Sequence, residues 1–192
     1  MGRIVVTEFV SLDGVMEDPG GAEGFRHKGW SFEVNRGEEG DRFKVDELEA
    51  ASALLLGRRT FEGFAAAWPA REGPFADKFN SMPKYVVSST LEDPSWNNST
   101  VIRGDDVVGQ IRRLRAETDG EVQVAGSAQL VQTLLENDLV DELHLMVFPV
   151  VLGEGKRLFG PTSDKKPLKL TNSRTVGDGV EILVYQPQAN GA

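Results

Sequence analysis

The stretch Ala53-Leu54-Leu55-Leu56-Gly57-Arg58-Arg59-Thr60-Phe61-Glu62 passes from wholly apolar to cationic and hydroxyl residues across a single glycine. A continuous apolar run this short reads as a strand covered on both faces, because a half-exposed strand would alternate. The residues from Thr60 read as a helix start, whose free backbone N–H groups and positive dipole end attract phosphate. Arg58 and Arg59 would add bidentate, charge-assisted contacts. The alternative is an ordinary solvated arginine pair after a strand.

The same junction recurs twice. Lys84-Tyr85-Val86-Val87 runs into Ser88-Ser89-Thr90, and Glu121-Val122-Gln123-Val124-Ala125 runs into Gly126-Ser127, which opens the amphipathic stretch Leu130, Val131, Leu134, Leu135. Open α/β sheets bind ligands beyond the carboxyl ends of their strands, so three such ends pointing one way would form one nucleotide cleft. Ordinary helix caps are the competing explanation, since Ser, Thr and Gly are favoured there without any ligand.

Around these junctions the chain alternates. A strand is expected over Arg3 to Val10, then a long polar loop from Ser11 to Gly40, a helix over Asp41 to Ala51, and a short helix near Phe75 to Ser81. A strand at Thr100 to Ile102 precedes a helix from Asp105 to Glu117. The apolar run Glu142 to Leu152 is followed by two further strands, Leu168 to Val176 and Val180 to Gln186, joined by a Gly177-Asp178-Gly179 turn. The fold class expected is α/β with a mixed sheet that an antiparallel ribbon completes. A single domain is expected over 1–187, with a disordered tail at 188–192.

A chain of 192 residues is long enough to bury about 70% of its unfolded surface without staples. It has no cysteine, which excludes disulfides, cysteine nucleophiles and cysteine-ligated zinc. The start enters a strand without the apolar region of a signal peptide and no segment is long enough to span a bilayer, so a cytoplasmic protein without membrane contact is expected. The sequons at Asn97 and Asn98 then mark only a polar turn. A net charge of −9 opposes generic attraction to nucleic acid, and Arg112, Arg113 and Arg115 read as the solvated face of an amphipathic helix.

The order of Ser11-Leu12-Asp13-Gly14, Leu56-Gly57-Arg58-Arg59-Thr60, Val87-Ser88-Ser89-Thr90, Ala125-Gly126-Ser127-Ala128 and Pro149-Val150-Val151-Leu152-Gly153-Glu154-Gly155 resembles the dihydrofolate-reductase-like family. The similarity is greatest to the C-terminal reductase domain of the bacterial riboflavin deaminase-reductase, and covers nearly the whole chain. The resemblance implies a mostly parallel, mixed eight-stranded sheet with flanking helices and a C-terminal antiparallel hairpin. It implies NADPH as cofactor, hydride transfer to a pteridine or pyrimidine-like heterocycle such as the aminouracil intermediate of riboflavin synthesis, and a homodimer.

By the same resemblance, Gly57, Arg58, Arg59 and Thr60 hold the pyrophosphate and adenosine phosphate, Ser88 and Ser89 lie beside the latter, and Ala125, Gly126 and Ser127 form the second phosphate turn. The nicotinamide lies near Val6 and Thr7. Asp41, at a spacing similar to that of the acid in folate reductases, is the candidate proton donor, against a reading as ordinary helix-start charge. Asp13 and Glu154 are candidate substrate contacts, or simply turn residues beside glycine. The family's deaminase domain is not expected to accompany this reductase-like domain, and its cysteine-bearing zinc signature could not be built from these residues.

Trp30 and Phe32 could stack on a flat heterocycle or pin their loop to the core. His144 reads as a packed or edge histidine and His27 has no partner of recognisable spacing, so no metal site is expected. Neither a Gly-x-Ser-x-Gly elbow nor a P-loop is present. Two functions stay open, an NADPH-dependent reductase and a non-catalytic nucleotide-binding or dimerisation module on the same fold.

Overall fold

The computed structural model describes residues 1–188 of the chain. The expected disordered tail lies outside the described residues apart from Gln188, whose N–H donates to Pro167 O at 2.9 Å. In chain order the elements are β1 (Arg3–Ser11), α1 (Gly37–Ala50), β2 (Ala51–Gly57), α2 (Arg58–Ala67), α3 (Pro74–Ser81), β3 (Lys84–Val87), β4 (Ser99–Ile102), α4 (Val107–Glu117), β5 (Glu121–Val124), α5 (Ala128–Glu136), β6 (Glu142–Phe148), β7 (Leu168–Val176) and β8 (Val180–Pro187). One eight-stranded sheet holds them in the order β4-β3-β2-β5-β1-β6-β8-β7. The first six are parallel, and β8 runs antiparallel to both β6 and β7.

The apolar run of β2 is explained by what covers it. Leu55 faces a core with Ile4, Val6, Val122, Val124 and the inner sides of α4 and α5, while Leu54 and Leu56 face Leu48, Phe61, Phe79 and Trp96 on the opposite side. Both faces of this strand are therefore dry, and alternation disappears. A third cluster, Trp30, Met146, Phe148, Val176, Val180 and Ile182, fills the β6–β8–β7 end. No helix among the described residues is long and apolar enough to cross a membrane.

Among the boundaries that differ from expectation, three are the most informative, and two of these matter for the site. The helix α1 starts at Gly37, four residues before Asp41, where the Asn35 side chain accepts the Gly37 N–H at 2.9 Å. The helix α2 starts at Arg58, so both arginines lie in its first turn. The strand β6 stops at Phe148, because Pro149 cannot donate to a ladder.

The β7–β8 turn seats against the chain entering α1. Asp178 N–H donates to Asn35 O at 2.7 Å, and a Cβ on Gly177 would lie 2.7 Å from Arg36 Cα, so only glycine fits there. Beyond the short β5 the sheet opens. Its last residue, Val124, pairs with Val6 and Leu55, while β1 continues to Ser11 and β2 to Gly57, leaving a notch between them.

Candidate functional site

Two glycine turns meet at the rim of this notch. The Gly57 N–H donates to Gly126 O at 3.0 Å. A Cβ on Gly57 would collide with the Ser127 side chain and lie 3.0 Å from its backbone nitrogen; one on Gly126, at φ +99°, would lie 2.6 Å from Thr60 Oγ1. The starts of α2 and α5 are thus in contact. Neither helix has a side-chain cap or an acidic residue in its first turn, whereas α4 is capped by Asp106, which accepts the Gly109 N–H at 2.9 Å. Ser127 sits at a capping position without capping, so the ordinary-cap explanation does not account for it.

Arg58 and Arg59 are exposed in the first turn of α2. Arg58 reaches Glu62 at 3.0 Å along the helix surface, and Arg59 makes no side-chain hydrogen bond or ion pair among the described residues. Val87 is in register with Gly57, which brings the third junction alongside. There Ser88 Oγ accepts the N–H groups of Thr90 and Leu91, at 3.2 and 2.9 Å, while Ser89 is exposed. The segments around residues 57, 88 and 126 therefore share one edge of the sheet.

The notch holds a cavity of about 310 Å³. Thr7, Glu8, Thr60, Gln123 and Ala125 line its floor, and Phe32, Phe64, Trp68 and Phe75 line its outer wall. Thr7 is fixed from α1: Lys44 Nζ donates to Thr7 Oγ1 at 2.6 Å, and that hydroxyl donates to Glu47 Oε2 at 3.0 Å. Lys44 and Glu47 pair at 2.6 Å, and Glu47 continues to His144 Nδ1, whose Nε2 meets Glu142, each at 2.6 Å. Burial pulls the His144 imidazole down, but bonds and charge from Glu47 and Glu142 outweigh it and raise its pKa. Burial likewise pushes Glu47 up, and the Lys44 charge with the His144 contacts brings it below its ordinary value. The network thus favours ionised carboxylates beside Lys44 and a protonated His144, and it clamps a hydroxyl into the notch.

The structure redistributes several expected site residues. Asp41, the candidate proton donor, lies away from the cavity lining: it points to solvent and pairs with Arg36 Nε at 2.6 Å, while Lys44 and Glu47 occupy the inward face of α1. Trp30 is 1% exposed, packs edge-on against Phe148, and its indole N–H donates to Glu17 O at 2.8 Å, the geometry of the pin rather than of the stacking contact. Val6 is core, next to the lining residue Thr7. Glu154 is exposed and meets Arg26 at 3.1 Å across the loops. Glu8, Lys44 and Gln123 went unread in the sequence, although Glu8 interrupts the apolar series Ile4, Val6, Val10, and that interruption was visible.

Asp13 ties two loops together. Its carboxylate accepts Ser11 Oγ–H at 2.6 Å, Leu152 N–H at 3.1 Å and Gly153 N–H at 2.9 Å. The Ser11 bond is the largest reason its pKa falls to about 2, with burial opposing and the two amides assisting. A depressed folded-state pKa means that the tie is complete above the ordinary value of 3.8 and is lost as pH falls toward about 2. The Leu152 and Gly153 amide NMR signals should therefore shift over that window in the wild type and not in Asp13→Ala. Signals that stay fixed through it would contradict the tie.

Comparison with known proteins gives one family and a consistent set of relatives. The RibD C-terminal domain model matches residues 3–182. The uncharacterized protein YyaP of Bacillus subtilis (strain 168) is 30% identical over 188 residues, covering 95% of this chain and 94% of that one. A Shewanella sp. PV-4 protein named for riboflavin biosynthesis superposes with TM-score 0.78 at 25% identity, covering 97% and 99% of the two chains. Dihydrofolate reductase from Enterococcus faecalis, in complex with NADP(H) and RAB-propyl, superposes with TM-score 0.59 at 17% identity over 97% of each chain. The fold is accordingly dihydrofolate-reductase-like.

Proposed function

The chain belongs to the RibD C-terminal domain family, and on that premise we propose that residues 1–187 form an NADPH-dependent reductase acting on a pteridine or pyrimidine-like nitrogen heterocycle. One observation carries the reading: two touching, uncapped and acid-free helix starts stand with an arginine pair at the rim of a notch walled by aromatic rings. Backbone N–H groups and guanidinium forks are the donor set that phosphate oxygens require. The dinucleotide fits this chain on that ground.

The pyrophosphate would rest on the Gly57 and Gly126-Ser127 turns, and the adenosine phosphate on Arg58, Arg59 and Ser89. A cavity of about 310 Å³ suits the reacting rings, leaving the rest of the cofactor along the strand ends. When bound, NADPH supplies the hydride. The chain's own contribution is to press the acceptor ring between the floor residues Thr7 and Ala125 and the aromatic wall, excluding water and holding the acceptor in one orientation. The aromatic wall supports a flat, partly apolar acceptor.

The same reading places the protein in the cytoplasm as a homodimer. The edge strand β7 is exposed along most of its length, with Leu170 46% exposed, and offers an unpaired ladder to a second copy.

The reading is tested by titration. NADPH at a hundredfold excess over its dissociation constant should protect against unfolding by about 2.7 kcal/mol, and should be oxidised in the presence of a diaminopyrimidine or dihydropteridine. Binding without oxidation across a broad panel would favour the non-catalytic nucleotide-binding or dimerisation module, and absence of binding would end the proposal.

A further inference from the structure

Glu8 is an acid where its strand is otherwise apolar. Ile4, Val6 and Val10 share its side of β1 and are all buried, and Glu8 itself is 7% exposed. It lines the cavity, and its Oε1 has no hydrogen-bond partner among the described residues. Buried carboxyl oxygens are normally satisfied, because an orphaned one forfeits its hydration for nothing. Gln123 Oε1, 6% exposed on the neighbouring β5, is a second unpartnered oxygen lining the same cavity. Glu8 lies on the Val6 face of the sheet and Gln123, between Val122 and Val124, on the other, and both border the cavity where β5 ends; a ligand entering that opening would complete the Glu8 oxygen. A neutral carboxyl can donate O–H to a ring nitrogen, so the complement is a nitrogen heterocycle.

We propose, on the reductase reading above, that Glu8 is the general acid of this site, protonating the nitrogen of a C=N bond in the heterocycle. The Glu8 O–H bond breaks as the N–H bond forms, and the electron pair of the C=N bond ends on that nitrogen. The carbon receives the hydride that the reduced nicotinamide provides. Two electrons and one hydrogen thus come from NADPH, which leaves as NADP⁺, one proton comes from Glu8, and the carboxylate left behind recovers its proton from water.

The surroundings favour an un-ionised carboxyl. Burial is the largest influence and raises its pKa well above the ordinary value; the Lys44 charge and the Gly126 backbone oppose it, while Glu23 and Glu47 add to it. Asp18, which also lines the cavity, is engaged elsewhere, accepting the N–H groups of Glu23 and Phe25 at 2.9 and 3.0 Å. Arg59 acts on Glu23 from α2. Lys44 itself is held by Glu47 and Thr7. A proton donor has to carry its proton at working pH, and burial works in that direction.

Three measurements on the intact protein decide the matter. The infrared difference between wild type and Glu8→Gln should contain a protonated-carboxyl band at pH 7, and an ionised Glu8 at that pH overturns the proposal. The probe 2,4-diaminopyrimidine should bind the wild type with its ring nitrogen protonated, read by nitrogen NMR, and bind Glu8→Gln about tenfold more weakly with an unprotonated ring; equal binding overturns it. With any substrate that the wild type reduces, Glu8→Gln should lose on the order of a hundredfold in kcat and the alkaline limb of the pH profile, with Glu8→Asp recovering part of both. Unchanged turnover overturns it. NADPH affinity should stay within about twofold in Glu8→Gln, since the residue is not asked to hold phosphate. Failure of the wild type to bind NADPH would refute the reductase reading, whereas an ionised Glu8 or equal probe binding in a protein that does bind NADPH would refute this acid alone.

Discussion

Replacing Arg58 and Arg59 together by alanine should weaken NADPH binding by at least about a hundredfold while changing NADH binding several-fold at most. Both side chains project from the first turn of α2, where the backbone N–H groups are uncapped and no acidic residue competes for them. A charge-assisted bond to phosphate is worth roughly 1.5 to 3 kcal/mol, on the order of tenfold to a hundredfold each. Only NADPH carries the adenosine phosphate that would use both, so the loss should be selective. Arg58 already shares Glu62 on the exposed helix surface. Arg59, which has no such partner among the described residues, should account for the larger part in single variants. Calorimetric titration of the two cofactors measures the ratio, and an equal loss for both would remove the arginines from the adenosine phosphate.

Gly57→Ala should damage stability and cofactor binding together. The backbone there is extended, with φ −75° and ψ 158°, so alanine would meet no torsional objection. The obstacle is space. The added methyl would sit 2.9 Å from Ser127 Cβ and 3.0 Å from Ser127 N, and turning the serine hydroxyl away relieves neither contact. Overpacking of this kind costs typically about 1 to 3 kcal/mol, and any relief requires the two helix starts to separate, stretching the bond from Gly57 N–H to Gly126 O. Gly73→Ala is the control. Its Cβ would meet nothing within 4 Å, although φ +104° makes the torsion unfavourable. If denaturant unfolding and NADPH titration treat the two variants alike, close approach of the turns is not what position 57 demands.

The dry β2 was legible because Leu54, Leu55 and Leu56 leave no polar residue to face water on either side, and the hairpin was legible because Gly177 and Gly179 flank an aspartate. The convergence of residues 57, 88 and 126 could also be anticipated, since parallel strands with helical crossovers place their carboxyl ends on one edge. The notch floor was not. Glu8, Lys44 and Gln123 come to border one cavity only through the strand order β2-β5-β1 and the rotation of α1 about its axis, whereas Asp41 is singled out by its spacing ahead of Gly57, which says nothing of the face of α1 that turns inward. Trp30 escaped for a related reason. Its loop could lie over the notch or fold back to β6, and the deciding partners, Phe148 and the Glu17 carbonyl, are distant or backbone.

The seat of the β7–β8 turn on Asn35 and Arg36 has a consequence for the order in which the protein is built. Lys44 and Glu47 follow that entry by about two and about three helical turns, and their aim at Thr7 depends on how α1 is launched. During synthesis β1 and α1 emerge first, but the hairpin that braces the launch point emerges last. A chain interrupted on the ribosome before residue 168 is therefore expected to carry the Gly57, Ser88 and Gly126 turns without the brace that sets the Thr7 side of the pocket.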